Sequence, residues 1–243
     1  MTSISYGIVL KRIDYKENDV ILKILTNESQ LLSLYARGIK KAQSKNSYAC
    51  SLLAESEFTY QAKDQKLPFL ITGNLVLAHQ NLFQDYDLMI LATVMADLLA
   101  EILAYDDNWP DAFQLFQAYL NMLAKNTDLV ALFGLFLVTL LKQLGSSLHV
   151  DSCVVCNHSK VVGIDLNLGG FVCRNHANKA LIYDKEFLRK FRLINKASHE
   201  NWEEIIKQEP FEKEIVTILS GALEKYSGLS FKTFKFIQSV FSI

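Results

Sequence analysis

The constraint that most limits the fold is a change of hydrophobic period near residue 76. Through the first 75 residues apolar side chains recur at every second position: Ile4, Tyr6, Ile8 and Leu10, then Val20, Leu22 and Ile24, then Leu32, Leu34 and Ala36. A strand sends successive side chains to opposite faces, so this alternation predicts short strands with one buried face. Runs at 55–62 and 68–75 have the same character, and DYKEND, TNESQ and KDQKLP supply turns between them. Five short strands in so short a stretch fit a small closed barrel of the OB type, whose closure removes vulnerable sheet edges.

Beyond residue 77 the period is helical. Residues 87–105 place Leu88, Leu91, Met95, Leu98, Leu99 and Ile102 on one face, with Asp97 and Glu101 opposite. A break at Asn108, Trp109 and Pro110, with proline suited to a first helical turn, precedes a helix over 111–125. A third helix is expected from an N-cap at Asp128 to a C′ glycine at Gly145, apolar almost all round and therefore the central rod of a helical body. Further helical patterns occupy 184–194, 200–208, 211–227 and 230–241. The fold class is α+β. The expected division is a barrel over 1–78 and a helical domain over 79–243, interrupted by a turn-rich element at about 151–183.

Half of the 243 residues are apolar or aromatic and 21% are charged, which excludes a disordered chain. The first residues alternate and lack a continuous apolar core, so they do not read as a signal peptide. The longest apolar stretch, 129–141, is too short to span a bilayer, and a cytoplasmic protein is expected. The net charge of −1 conceals a division: residues 1–75 carry 10 Lys/Arg against 7 Asp/Glu, residues 76–151 carry 2 against 9, and residues 152–243 carry 13 against 10. Such asymmetry separates scaffold from binding surface.

Cys153, Cys156, Cys173 and His176 form C-x2-C-x16-C-x2-H. Each pair can aim two donors at one ion from a tight turn, and four protein donors close a tetrahedral site, which makes it structural rather than catalytic. His158 is a competing ligand, but His176 preserves the symmetry of the pairs. A zinc deaminase would need an H-x-E segment ahead of P-C-x-x-C, and neither is present. Cys50 stands apart, with no histidine within 25 residues to activate it, and reads as a small buried apolar residue.

If Leu32, Leu34 and Ala36 point into the barrel, Ser33, Tyr35 and Arg37 point out, and Lys23 does so from the preceding strand. Cations and an aromatic on one surface suit a single nucleic-acid strand, the cations for phosphate and the ring for a base. The strand runs into Arg37-Gly38-Ile39-Lys40-Lys41-Ala42-Gln43-Ser44-Lys45, four cations without an acid. A solvated loop accounts equally well for such a run. Asp14, Glu17 and Asp19 read as turn chemistry, and Phe231 to Phe236 as a helix burying phenylalanines with lysines outside.

Taken in order, these segments resemble the RecO family of bacterial recombination mediators. The resemblance is carried by Gly7-Ile8-Val9-Leu10, Tyr15-x-Glu17-x-Asp19, Leu25-Thr26, Ala36-Arg37-Gly38-x-Lys40-Lys41-x-x-Ser44, Phe133 to Gly145, Asp151 to Cys156, Gly169 to Cys173 and Phe231-Lys232. It implies an N-terminal OB-fold, a helical domain with a zinc-finger element, and no catalytic centre. It also implies binding of single- and double-stranded DNA, annealing of strands coated by single-stranded DNA-binding protein, and, with RecR, help to RecA in replacing that coat, in the cytoplasm and at the nucleoid.

Carried over by position, the basic loop with Arg37, Lys40, Lys41 and Lys45 becomes a DNA contact; Lys23 and Tyr35, outward by alternation, extend it across the barrel, and Ser44 of the same loop is counted with it. The acidic, apolar-tipped tail of the coat protein needs an apolar groove with a cationic rim, for which the basic C-terminal segment offers Arg189, Lys190 and Arg192 as candidates. The family's fourth zinc ligand is commonly Cys where His176 stands here. An RNA-binding OB protein, a metal-assisted hydrolase and a structural adaptor are the alternatives that the residues leave open.

Overall fold

The computed structural model describes residues 2–63, 66–125, 128–198, 200–202 and 210–241. The chain forms two compact units, Met1–Lys125 with Lys235–Val240, and Asn126–Phe234 with Phe241–Ile243.

The first unit is built on five strands, β1 (Thr2–Asp14), β2 (Val20–Thr26), β3 (Leu31–Ala36), β4 (Glu55–Lys63) and β5 (Lys66–Leu77). They close in the order β1-β2-β3-β5-β4, with β4 returning to β1. Every pairing is antiparallel except the short parallel contact of β3 with β5, where Tyr35 stands beside Phe69. This is the strand order of an OB-like barrel. Val9, Leu22, Ile24, Leu34, Phe58 and Leu70 fill it, together with the buried thiol of Cys50.

Two features of β1 depart from simple alternation. Ile4 is exposed, whereas Ile8, Val9 and Leu10 are all buried in succession. The strand carries a register shift between Val9 and Lys11, and helix α1 (Tyr86–Tyr105) covers its outer side, so both faces are buried there. Gly7 is required by a close approach: a Cβ at this position would lie 2.5 Å from the Leu25 carbonyl oxygen on β2.

Asp85 caps α1 by accepting the amides of Asp87 and Leu88. Of the described helices, α1 alone has the length and apolarity of a membrane span, with mean hydropathy 1.9 over eighteen residues, yet 61% of that window is buried within the protein. Its supposed solvent face is also engaged, since Lys11 reaches from β1 to Asp97 (2.5 Å) and Glu101 (3.5 Å). Helix α2 (Ala112–Leu123) begins after Asp111, so Pro110 precedes the helix instead of occupying its first turn.

A buried carboxylate ties α2 and the segment that follows β5 to the barrel. Glu55 accepts hydrogen bonds from Tyr6 Oη (2.5 Å) and Gln117 Nε2 (2.8 Å), and its other oxygen lies 2.8 Å from His79 Nε2. Burial pushes the Glu55 carboxyl up, but His79, Tyr6 and Gln117 outweigh it and hold the group below its ordinary range. The Tyr6 phenol is pushed up to about 12 by burial and by that carboxylate.

The second unit centres on α3 (Leu129–Gln143), nearly all of it buried. Asp128 caps its start, Oδ1 accepting the Ala131 amide at 3.0 Å. Gly145, at φ +64°, ends it, with Gly145 N–H donating to Lys142 and Ser146 N–H to Leu141. A small sheet follows, β6 (Gly163–Asp165), β7 (Gly170–Val172) and β8 (Leu181–Ile182), in the order β7-β6-β8. Helices α4 (Lys185–Lys196) and α5 (Lys213–Ser227) pack on α3. Residues 203–208 of the helix expected at 200–208 lie outside the described residues. Helix α6 (Phe234–Phe241) starts later than expected; Phe231 precedes it and is buried, while Phe236 is 48% exposed beneath the Lys235 ammonium.

Candidate nucleic-acid interface and metal centre

The turn between β1 and β2, the end of β3 and the start of β5 enclose a groove of about 930 Å³. Its aromatic wall is continuous. Tyr35 meets Tyr15 edge-on at 5.6 Å between ring centroids and Phe69 at 5.8 Å. Arg37, Lys41, Lys66 and Lys16 line the same groove, the Lys16 ammonium lying 5.6 Å from the centre of the Tyr15 ring.

One carboxylate organises this end of the barrel. Asp19 accepts the Gly38 amide at 2.8 Å through Oδ1 and the Tyr35 hydroxyl through Oδ2. The two donors hold its carboxyl below the ordinary range, and the same bond raises the Tyr35 phenol. Lys40 N–H donates to the Asn18 carbonyl, so the basic loop is fastened to the β1–β2 turn by its backbone. Gly38 is at φ +70°, a left-handed conformation that suits glycine.

The sequence-derived residues therefore divide. Tyr35, Arg37 and Lys41 come together in the groove. Lys40 is exposed and pairs with Asp14 at 2.6 Å, Lys45 is exposed on the same loop, and Ser44 is half-buried there. Lys23 shares the outer face of β2 and β3 but donates to Ser33 Oγ at 2.8 Å. Tyr15, Lys16, Lys66 and Phe69 are groove residues that the sequence reading did not assign. The barrel order places β5 beside β3, and this topology, had it been used, would have brought Phe69 next to Tyr35.

In the second unit the four expected ligands converge. The donor atoms of Cys153, Cys156, Cys173 and His176 all lie within 4.8 Å of one another. His176 Nδ1 is 3.3 Å from Cys173 Sγ and 3.5 Å from Cys153 Sγ, and Cys156 Sγ is 3.7 Å from Cys173 Sγ. A tetrahedral ion with metal–sulfur bonds of about 2.3 Å needs sulfur–sulfur edges of about 3.8 Å, so this cluster could hold a metal ion. Burial raises the Cys153 thiol, yet amides of Cys173, Cys156 and Val155 and the His176 ring outweigh it and bring it down to about 5, toward the thiolate that a metal requires.

His158 takes no part in the cluster: its Nδ1 accepts the Lys160 amide and it is exposed. The first ligand turn is fastened to β7, where Val154 N–H donates to Phe171 O, and closes on itself through Cys153 N–H to His158 O. Gly170 is forced by close packing, because a Cβ there would lie 2.2 Å from the His149 carbonyl oxygen. Cys50 remains apart and buried, its thiol pushed up to about 12.

A second groove, of about 490 Å³, has Val161, Phe171 and Leu188 in its floor and Lys160, Lys185 and Arg189 among its lining cations. Arg192 also lines it and is bound to Asp151 at 2.8 Å. Lys190 requires a correction. It is only 7% exposed and turned inward, its ammonium donating to Pro210 O (3.0 Å) and Glu212 (2.9 Å), and is therefore not a rim cation. Its position explains this, since Phe187, Lys190, Phe191 and Ile194 follow the spacing of one buried helix face.

Comparison with known proteins agrees with this architecture. Residues 1–78 match the family model described as Recombination protein O N terminal, and residues 83–234 match Recombination protein O C terminal. A protein of Mesoplasma florum called DNA repair protein RecO is 31% identical over 192 residues, covering 75% of this chain and 70% of that one. Proteins of the same name from Bacillus pumilus (26% identity, 98% and 94% coverage) and Bacillus cytotoxicus (23%, 96% of each) match along nearly the whole length.

Proposed function

Because the chain belongs to the RecO family, we propose that it is a non-catalytic DNA-repair protein that binds single- and double-stranded DNA and anneals complementary strands. In this reading it acts on strands coated by single-stranded DNA-binding protein and, with RecR, assists RecA in displacing that coat, in the cytoplasm at the nucleoid. The observation that supports it most is the convergence of three aromatic rings and four cations in one groove of the OB-like barrel. Cations neutralise phosphate while rings offer a surface to bases, and the acid-free loop from Arg37 to Lys45 extends the cationic edge. Lys23 and Ser44 flank this surface.

The Cys3His cluster fits zinc, with four protein donors and no further side-chain ligand among the described residues. A closed site stabilises the surrounding fold and leaves no position for a reactive water, which favours a structural ion over a hydrolase. The apolar floor and basic rim of the second groove suit an acidic peptide with an apolar tip, such as the tail of single-stranded DNA-binding protein. Arg189 and Arg192 would be cations of that rim.

Strand annealing with and without single-stranded DNA-binding protein tests the reading as a whole. Changing Arg37 and Lys41 together to Ala should weaken binding to every sequence and reduce the slope of log affinity against log salt by about 1 to 1.5 for single strands, since each neutralised phosphate contributes about 0.7. Unchanged affinity and slope in a folded double variant would remove DNA from this groove.

A further inference from the structure

The groove in the barrel sets one exposed aromatic ring within reach of several cations, and this says more than that DNA binds there. We propose that it receives an unpaired nucleobase stacked on Tyr15, with Arg37, Lys41 and Lys66 holding the adjoining phosphates. The inference rests on the DNA-binding reading above and assigns a single-strand-specific subsite within it.

Tyr35, the aromatic that strand alternation singles out, is poorly placed to be the platform. It is half-buried, its ring is flanked edge-on by Tyr15 and Phe69, and its hydroxyl is tied to Asp19. Tyr15 is 57% exposed, held edge-on by Tyr35 and approached by the Lys16 ammonium. It is the ring that can offer area to a ligand. Tyr35 and Phe69 act as the wall that fixes its orientation, which lowers the entropy lost when a base stacks.

Hydrogen-bond acceptors stand beside Tyr15, while most of the cations lie elsewhere in the lining. Glu17 and Asn18 belong to the same turn as Tyr15 and Lys16 and line the groove, whereas Arg37, Lys41 and Lys66 come from the β3–β4 loop and β5. A carboxylate repels phosphate but accepts a hydrogen bond from a base amino or imino group. A base therefore suits the Tyr15 end and phosphate the Arg37 end. Paired bases in a duplex have both faces stacked and their hydrogen-bonding edges satisfied, so duplex DNA could use the cations alone. Strand discrimination would thus reside in Tyr15, and general affinity in the cations.

The test measures binding of the full-length chain to an oligodeoxythymidylate and to a duplex of equal length, at several salt concentrations. Tyr15→Ala should lower single-strand affinity by about tenfold, within the range expected for one lost base stack. Duplex affinity and both salt slopes should stay unchanged, and Tyr15→Phe should restore single-strand binding. A 2-aminopurine in the oligonucleotide should lose its protein-dependent fluorescence change in Tyr15→Ala. Equal losses on the two substrates, or no loss on single strands, would overturn the base subsite while leaving DNA binding in place. Failure of the wild-type chain to bind either substrate would overturn the underlying reading as well.

Discussion

Individual cysteines in this chain have opposite chemistry because their surroundings differ, and each difference gives a measurement. Cys50 is sealed in the barrel, where burial pushes its thiol up to about 12; Cys153 is surrounded by amide donors that favour the thiolate. Native protein stripped of metal should leave the buried Cys50 unmodified by iodoacetamide at neutral pH while the exposed Cys156 is alkylated faster, as peptide mapping would read directly. Cys173→Ser removes a buried donor from the four-ligand cluster. Elemental analysis should find about one zinc per wild-type chain and a marked loss in this variant, with thermal unfolding of the second unit shifted down and oligonucleotide binding retained. A variant with full zinc content would place the ion on other ligands.

At the level of elements, the Glu55 network fastens α2 and the segment after β5 to the barrel. Removing the carboxylate strands three buried or half-buried partners, His79, Tyr6 and Gln117, so Glu55→Ala should cost about 3–5 kcal/mol in urea unfolding. The pH dependence has a definite sign. Because the folded carboxyl is held below the value of 4.5 that it regains on unfolding, its stabilisation is fully present above that value and is lost as the pH falls through the lower folded one. Acid titration should thus unfold wild type more steeply than Glu55→Gln below about pH 4.5, and parallel curves would show that the network does not govern acid stability.

The elements themselves were largely legible. Alternation located β1 to β3, strand-like runs between turn signals located β4 and β5, and Asp128 and Gly145 marked the ends of α3, because local backbone chemistry fixes such features. Partnerships across the fold were not legible in the same way. Asp97 looked solvated on a helical wheel but meets Lys11 from β1, and Lys190 looked like one of three surface cations but follows the buried face of α4. Tyr15 and Phe69 stand more than fifty residues apart and join one groove only when β5 closes beside β3.

For the whole molecule, the acidic middle of the chain turns out to be largely committed to structure. Asp85 and Asp128 cap helices, Asp97 and Glu101 bind Lys11, Asp106 accepts the Asn108 amide, and Asp151 binds Arg192 and Lys196. These neutralised or locally used charges leave the cationic grooves to act at short range, one in each compact unit. On the proposed function, the two grooves have separable tasks, DNA for the barrel and an acidic tail for the second unit. Arg189→Glu with Lys185→Glu should therefore reduce binding of an acidic, apolar-tipped tail peptide at least about tenfold, since reversing two rim charges replaces attraction by repulsion. Both residues are exposed on α4. Affinity for bare oligonucleotide should be unaltered, annealing of bare strands should persist, and annealing of strands coated by single-stranded DNA-binding protein should fall. Loss of bare-strand annealing in this folded variant would show that the second groove also contacts DNA, and unchanged annealing of coated strands would remove it from partner recognition.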